Sequence, residues 1–308
     1  MNHTVIGIDL GATKIALGLV GPDNRIMAQQ RLPTNAAAGP ESAVERMAAA
    51  ITQLQESLPV GQRAAAVGLC SPGPIDHTTG MIIDPPNLPG WRNVPLRQML
   101  ADRLNLPVAL EHDAKAAALG EYHYGAGRGE RSMIYLVAGT GVGAAIIIDG
   151  QLYRGLHNFA GEVGHITIDR HGEPCGSGVN GCVQGFLCGP ALARHYQRLA
   201  PTTAAADITG AHVAQRAAAG DAAALQVMTQ AGEALGIAVA SLAMILDIEL
   251  VIIGGSVVKA GELLLAPARK IMPRYCFDSV AAHTRIEPAA LGDDSPILGC
   301  AWLARQTL

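Results

Sequence analysis

The feature that most restricts the fold is a motif that occurs twice. Thr4–Val20 reads as two apolar runs about the bend Asp9-Leu10-Gly11-Ala12-Thr13-Lys14. Further on, Met133–Val137 and Ala144–Ile148 are apolar runs on either side of Ala138-Gly139-Thr140-Gly141-Val142-Gly143. Each copy predicts strand, glycine-rich bend, strand. Neither bend carries the G-x-x-x-x-G-K-[ST] spacing of a P-loop, and neither runs into the helix that a dinucleotide-binding fingerprint needs. Two readings stay open. The bends are ordinary hairpin turns, or each opens an α/β lobe and turns backbone N–H groups toward an anion that glycine lets approach closely.

The rest of the chain fits two lobes. At 308 residues it is long for one core. Hydrophobic residues make up 49% and charged residues 16%, the balance of a packed globular protein. The formal charge of −4 argues against a general nucleic-acid surface. Six cysteines are too sparse for a disulfide framework and are expected as reduced thiols in a cytoplasmic protein. MNHTVIGIDLG enters a strand with no signal-type segment before it. The apolar run Ala234–Leu246 is too short to span a bilayer and predicts a buried helix, so no membrane partner is expected. Apolar spacings of three and four place a helix over Glu41–Leu58, with Val44, Met47, Ile51, Leu54 and Leu58 on one face. Helices are also predicted over Leu96–Leu104, Ala114–Tyr124, Ala222–Leu246 and Pro296–Arg305. Strands are predicted over Ala64–Cys70, Val108–Glu111 and Glu249–Ile253, the last followed by Gly254-Gly255 as a tight turn.

Two acids stand where chemistry could use them. Asp113 follows a short strand and begins a helix, so it either caps that helix or serves as a base at a strand's end. Asp9 sits between a strand and a glycine bend, where it either caps the turn or holds Mg2+ through water.

Eight segments, in order, resemble the ROK family (repressor, ORF, kinase) and its glucokinase-type sugar kinases, within the actin/hexokinase/Hsp70-like ATPase superfamily. They are Asp9–Lys14, "SPGPID" at 71–76, "PPNLPGWRNVPL" at 85–96, "EHDAKAAALGE" at 111–121, "GTGVGAAIIIDGQLYRG" at 139–155, "GEVGH" at 161–165, "IIGGSV" at 252–257 and "LGDDSPILGCAWLA" at 291–304. The resemblance implies a two-lobed actin-like (ribonuclease H-like) α/β fold with a ligand cleft between lobes. Residues 1–117 with 296–308 are expected to form a small lobe, and 118–295 a larger one. The implied activity is ATP-dependent phosphorylation of a hexose at its 6-hydroxyl, with Asp113 as base and Mg2+ at Asp9. Another hexose or amino sugar (mannose, fructose, allose, N-acetylmannosamine) is an alternative acceptor, and a non-catalytic sugar-sensing regulator is a second. Repressor members carry an N-terminal helix-turn-helix domain. With a strand at residue 4 there is no room for one, which favours the enzyme branch.

By the same resemblance, Gly11, Thr13 and Lys14 form the first phosphate bend, and Gly139, Thr140, Gly141 and Gly143 the second. Gly254 and Gly255 are expected against the adenosine, and Gly73, Asn87, Glu162 and His165 around the sugar. Two sugar positions depart from the family: His112 stands where Asn is usual, and Gln184 where Glu is usual. The family's zinc loop is matched by His165, Cys175 and Cys182, but Ser177 occupies a cysteine position. Three zinc ligands are left where four are needed. Cys188 or water could complete the set, or the loop holds no metal. A homodimer or homotetramer is the implied assembly.

Overall fold

The computed structural model describes residues 3–201 and 207–308. The first stretch of chain runs β1 (Val5–Leu10), β2 (Lys14–Val20), β3 (Ile26–Pro33), α1 (Gly39–Gln55), β4 (Val67–Ser71), a small ribbon of β5 (Ile75–Asp76) and β6 (Met81–Ile82), α2 (Leu96–Leu104), β7 (Val108–His112) and α3 (Asp113–Tyr124). The second runs β8 (Met133–Ala138), β9 (Val142–Ile148), β10 (Gln151–Tyr153), α4 (Gln184–Leu187), α5 (Gly189–Leu199), α6 (Gly210–Ala218), α7 (Ala222–Leu246), β11 (Leu250–Gly254), α8 (Glu262–Ile271), α9 (Asp278–His283) and β12 (Arg285–Pro288). α10 (Ser295–Arg305) closes the chain.

The doubled motif is a doubled topology. One sheet has the order β3-β2-β1-β4-β7 and the other β10-β9-β8-β11-β12. In each, the hairpin strands pair antiparallel and the two later strands are parallel. Parallel strands need crossovers, and helices supply them. The central strands are near-continuous apolar runs because both faces are covered. β4 and β11 are buried along their whole length.

The chain divides into two compact units. Unit 1 holds residues 1–129, 155–158 and 293–308; unit 2 holds 130–154 and 159–292. These limits differ from the predicted 117/118 and 295/296. A cut at 117 would divide α3, which is one unbroken helix packed along α10. Buried Glu121 of α3 accepts a hydrogen bond from Ser295 Oγ at 2.7 Å, so both helices stay with unit 1. Residues 155–158 join it because the buried Lys115 ammonium donates to the backbone and side-chain oxygens of Asn158, each at 2.6 Å.

Unit 1's core is filled by β1, β2, β4, α1 and α2, with Trp91 buried and its indole N–H donating to Ala36 O at 3.0 Å. Unit 2's core is organised by α7, which is long and apolar enough to cross a membrane but buries Val227, Leu235, Val239 and Leu242 in the protein. Its N-cap is Asp221, whose carboxylate accepts from Ala224 N.

Candidate active site

In unit 1, Asp9 sits near the end of β1, opposite Ala16 of β2 and Cys70 of β4. The Cys70 thiol donates to Asp9 Oδ1 at 3.6 Å. Burial pushes the Asp9 carboxyl up to about 6, and the negative charge of Asp113 pushes in the same direction. Asp293 adds a smaller push, while the Cys70 hydrogen bond and the Lys14 ammonium oppose. An acid held so far above its ordinary value, with two more carboxylates near it, is short of positive charge. These residues fit a hydrated divalent cation, which tolerates water between itself and a carboxylate.

The adjoining bend is closed by Gly11 N donating to Lys14 O at 2.9 Å. Thr34, fully buried, braces it from behind: Thr34 N donates to Thr13 O at 2.9 Å and Thr34 Oγ1 to Gly11 O at 2.7 Å. Thr13 and Lys14 are left exposed.

Asp113 is the first residue of α3, directly after β7. Its Oδ1 accepts from Ala114 N at 2.6 Å and lies 2.9 Å from His112 Nδ1. Among the described residues no hydrogen bond goes to Oδ2. The two readings of Asp113, cap and base, are therefore compatible: one oxygen serves the helix start and the other is presented outward. Gly73 lies beside His112, and Asn87 is exposed on the loop between β6 and α2.

In unit 2, the second bend is closed by Gly139 N donating to Gly141 O at 2.9 Å, and Gly189 N donates to Gly139 O at 2.8 Å. Thr140 is exposed and Gly143 lies in β9 opposite Val137. Gln184, expected at the sugar, accepts at Oε1 from Val142 N at 2.9 Å, so its carbonyl also braces the second bend. A cavity of about 970 Å³ adjoins this bend, lined by Gly139, Thr140, Gly189, Gly210, Gln215 and Ser256 among others. It has the size of a nucleoside site.

Ser256 and Val257 line that cavity, and Gly254 and Gly255 directly precede them. A Cβ on Gly254 would come within 2.0 Å of the Tyr135 hydroxyl, and one on Gly255 within 2.2 Å of Ala138 O. Both glycines are needed for close packing against β8. Gly255 also has φ 89°, which favours glycine.

The GEVGH segment packs on β9, where Ala144 N donates to Gly161 O at 2.7 Å. Glu162 Oε2 lies 3.9 Å from His165 Nε2, and Ser177 Oγ is 2.9 Å from His165 Nδ1. Glu162 and His165, expected at the sugar, thus lie close together, and the histidine is hydrogen-bonded to the residue that departs from the family.

His165, Cys175 and Cys182 converge, their ligand atoms within 4.8 Å of one another. The sulphurs of Cys175 and Cys182 lie next to one another across a Cα separation of 6.4 Å. The loop brings them together because Pro174 bridges Asn180 and Cys175 N donates to Val179 O at 2.9 Å. Cys188 remains a free, buried thiol. A serine hydroxyl is a poor zinc donor at neutral pH, so His165, Cys175 and Cys182 leave a structural zinc site one protein ligand short.

Thr34, Cys70 and Asp293 were missed by sequence reasoning, while Ser177 was marked only by its place in the cysteine loop.

Two units of one topology define the two-lobed actin-like ATPase architecture. One unit carries an acid cluster at its first bend, and the other carries a nucleoside-sized cavity at its own. Within that class the ROK family model matches residues 5–307, and the chain belongs to the ROK family. It is 34% identical over 316 residues to a glucokinase of Thermotoga maritima, covering 99% of this chain and 98% of that one. It is also similar to the ROK glucokinase of Streptomyces griseus, solved with glucose and AMPPNP, at 35% identity and a TM-score of 0.85 over 98% of this chain and 99% of that one. The ROK hexokinase of Thermus thermophilus matches at 33% identity and a TM-score of 0.83, covering 98% of each chain.

Proposed function

We propose that this protein transfers the γ-phosphoryl group of ATP to the 6-hydroxyl of a hexose, as a glucokinase-type enzyme. The observation that carries the reading is Asp113, a partly exposed acid at a strand-to-helix junction with one oxygen pinned. The sugar oxygen forms a bond to the γ-phosphorus while the bond to the β,γ-bridging oxygen breaks. Asp113 takes the hydroxyl proton, and ADP leaves. Phosphoryl transfer asks little else of a protein than positioning and charge compensation. The unit 2 cavity takes the nucleoside, and the exposed bend residues Thr13, Lys14 and Thr140 are suited to phosphate. Asp9 would hold Mg2+ through water, and that ion supplies charge neutralisation on the phosphates. Glu162, His165, Gly73 and Asn87 read the sugar.

The reading extends to a cytoplasmic homodimer or homotetramer acting on a small-molecule sugar, with neither nucleic acid nor membrane as partner. The mild net charge and the burial of α7 support it. A coupled ADP-release assay over glucose, mannose, fructose, allose, glucosamine and N-acetylmannosamine tests the activity. At least one should turn over at a rate on the order of 1–100 s⁻¹. Sugar binding without turnover of any of them would leave a sensor in place of an enzyme.

The loop at 165–182 makes a separate prediction. Protein purified without added metal should carry zinc well below one atom per chain by elemental analysis, because the donor set is one short. Ser177→Cys should raise zinc toward one per chain under reducing conditions. Stoichiometric zinc in the parent protein, retained through dialysis, would refute this account of the loop.

A further inference from the structure

We propose that His112 is a positioning residue for Asp113, holding one carboxylate oxygen so that the other meets the acceptor hydroxyl, and that Gly73 provides the room its ring requires. The inference rests on the reading of Asp113 as the base.

His112 ends β7 opposite Ser71 of β4, and its backbone N–H donates to the buried Glu111 carboxylate at 2.9 Å. Its own backbone is extended, with φ −68° and ψ 142°, and the next residue begins α3. This change of direction turns the imidazole back over the helix start. There Nδ1 is 2.9 Å from Asp113 Oδ1, and Ala114 N–H reaches both Nδ1, at 3.3 Å, and Oδ1, at 2.6 Å. Ala114 N–H has the shorter acceptor in Asp113 Oδ1, at 2.6 Å. An unprotonated Nδ1 would set its lone pair against a carboxylate oxygen at 2.9 Å, which is repulsive. The proposed arrangement has a proton on Nδ1, donated to Oδ1, which leaves Ala114 N–H to Oδ1. Two donors on one oxygen fix the rotation of the carboxylate, and Oδ2 is the oxygen that remains to accept a proton.

The far side of the ring explains Gly73. A Cβ built there would fall 2.7 Å from His112 Cδ2 and 2.8 Å from Nε2. Those are ring atoms on a side chain held at both ends, with little freedom to retreat. Any side chain at 73 would push the imidazole and, through Nδ1, turn Asp113. Gly73 and His112 are thus a steric pair, and the base depends on both.

Asparagine separates the two roles of the ring. Its Nδ2 is the same number of bonds from the backbone as His Nδ1, so it can keep the donor, while it lacks the outer ring atoms. With glucose as acceptor, His112→Ala should lower kcat by roughly 10–100-fold, the scale of a misplaced reacting group, with the glucose Kd from calorimetry changed less than about twofold. His112→Asn should recover most of that loss. Gly73→Ala should lower kcat about tenfold when His112 is retained. Combining it with His112→Asn should remove that defect, since the clashing atoms are gone.

An unchanged kcat with a raised glucose Kd in His112→Ala would make the imidazole a sugar ligand instead and overturn the proposal. So would a Gly73→Ala defect that persists when His112→Asn is added. If His112→Ala does not fold by near-ultraviolet circular dichroism, the Gly73→Ala and His112→Asn combination still decides the matter. Turnover surviving in Asp113→Asn would be a different result, removing the base assignment itself.

Discussion

Asp113→Asn should lower kcat by about 10²–10⁴-fold while the sugar Kd moves only a few-fold. The substitution is close to isosteric. An amide oxygen at the Oδ1 position can still accept from Ala114 N, now at 2.6 Å, and from the His112 ring, so the start of α3 is preserved. What changes is the outward atom. Where the carboxylate offers Oδ2 to the hydroxyl proton, the amide offers an NH2 group that is already a donor. The acceptor oxygen would then have to attack as a neutral hydroxyl or lose its proton to water. The separation of kcat from binding is the informative part, because loss of a base removes an interaction used in the transition state and not in the ground state. Steady-state kinetics with calorimetry on the same preparation reads both. Activity within about tenfold of the parent would mean that Asp113 is a helix cap and nothing more.

The side chains that make Asp113 effective differ in how far sequence discloses them. Asp113 itself was legible, since a short apolar run, an acid and an alanine-rich helix follow one another locally. The doubled hairpin was legible for the same reason: alternation, glycine and renewed alternation all fall within 17 residues in the first copy. α2 and α7 were placed at their observed ends, Leu96–Leu104 and Ala222–Leu246, because their breakers stand beside them in sequence. Parallel pairing has no such local trace. Cys70 lies beside Asp9 only because β4 joins β1 in a register set by the packing of the whole unit. Thr34 is 23 residues from the bend it braces. The cavity draws Gly139, Gly189, Gly210 and Ser256 from four separate segments.

Gly254 and Gly255 show a different limit. Sequence marks a position as intolerant of side chains but not which neighbour is responsible. At these two positions a side chain would meet Tyr135 and the β8 backbone. Gln184 is similar, because the sequence does not disclose that Val142 N–H lies within reach of its side-chain oxygen.

Asp9→Asn should make the unliganded protein more stable above pH 6 and nearly inactive. In the folded protein the carboxyl titrates at about 6, chiefly because it is buried. In the unfolded chain it returns to the ordinary value near 3.9. Below about pH 4 the group is protonated in both states and costs nothing. Between about pH 4 and 6 the unfolded chain gives up its proton first, so stability falls as pH rises. Above about pH 6 the full cost of an ionised, half-buried carboxylate is carried by the folded state. That displacement corresponds to about 3 kcal/mol, and partial exposure lowers it to about 1–2 kcal/mol. Asparagine removes the cost while its side-chain oxygen still accepts from the Cys70 thiol, which now reaches Asp9 Oδ1 at 3.6 Å. The expected gain in Tm at about pH 7.5, without divalent cation or nucleotide, is roughly 3–6 °C, and it should vanish near pH 4. Mg2+ with ATP should stabilise the parent more than the variant, because only the parent has a charge for the hydrated cation to offset. Turnover should fall at least about 100-fold, the cost of losing one electrostatic contact to the transferring group. On the reading of Asp9 as a cation ligand, its raised carboxyl is the cost that the bound cation would offset. A variant that is less stable than its parent at that pH, or one that keeps its activity, would show that Asp9 serves the fold and not the phosphates.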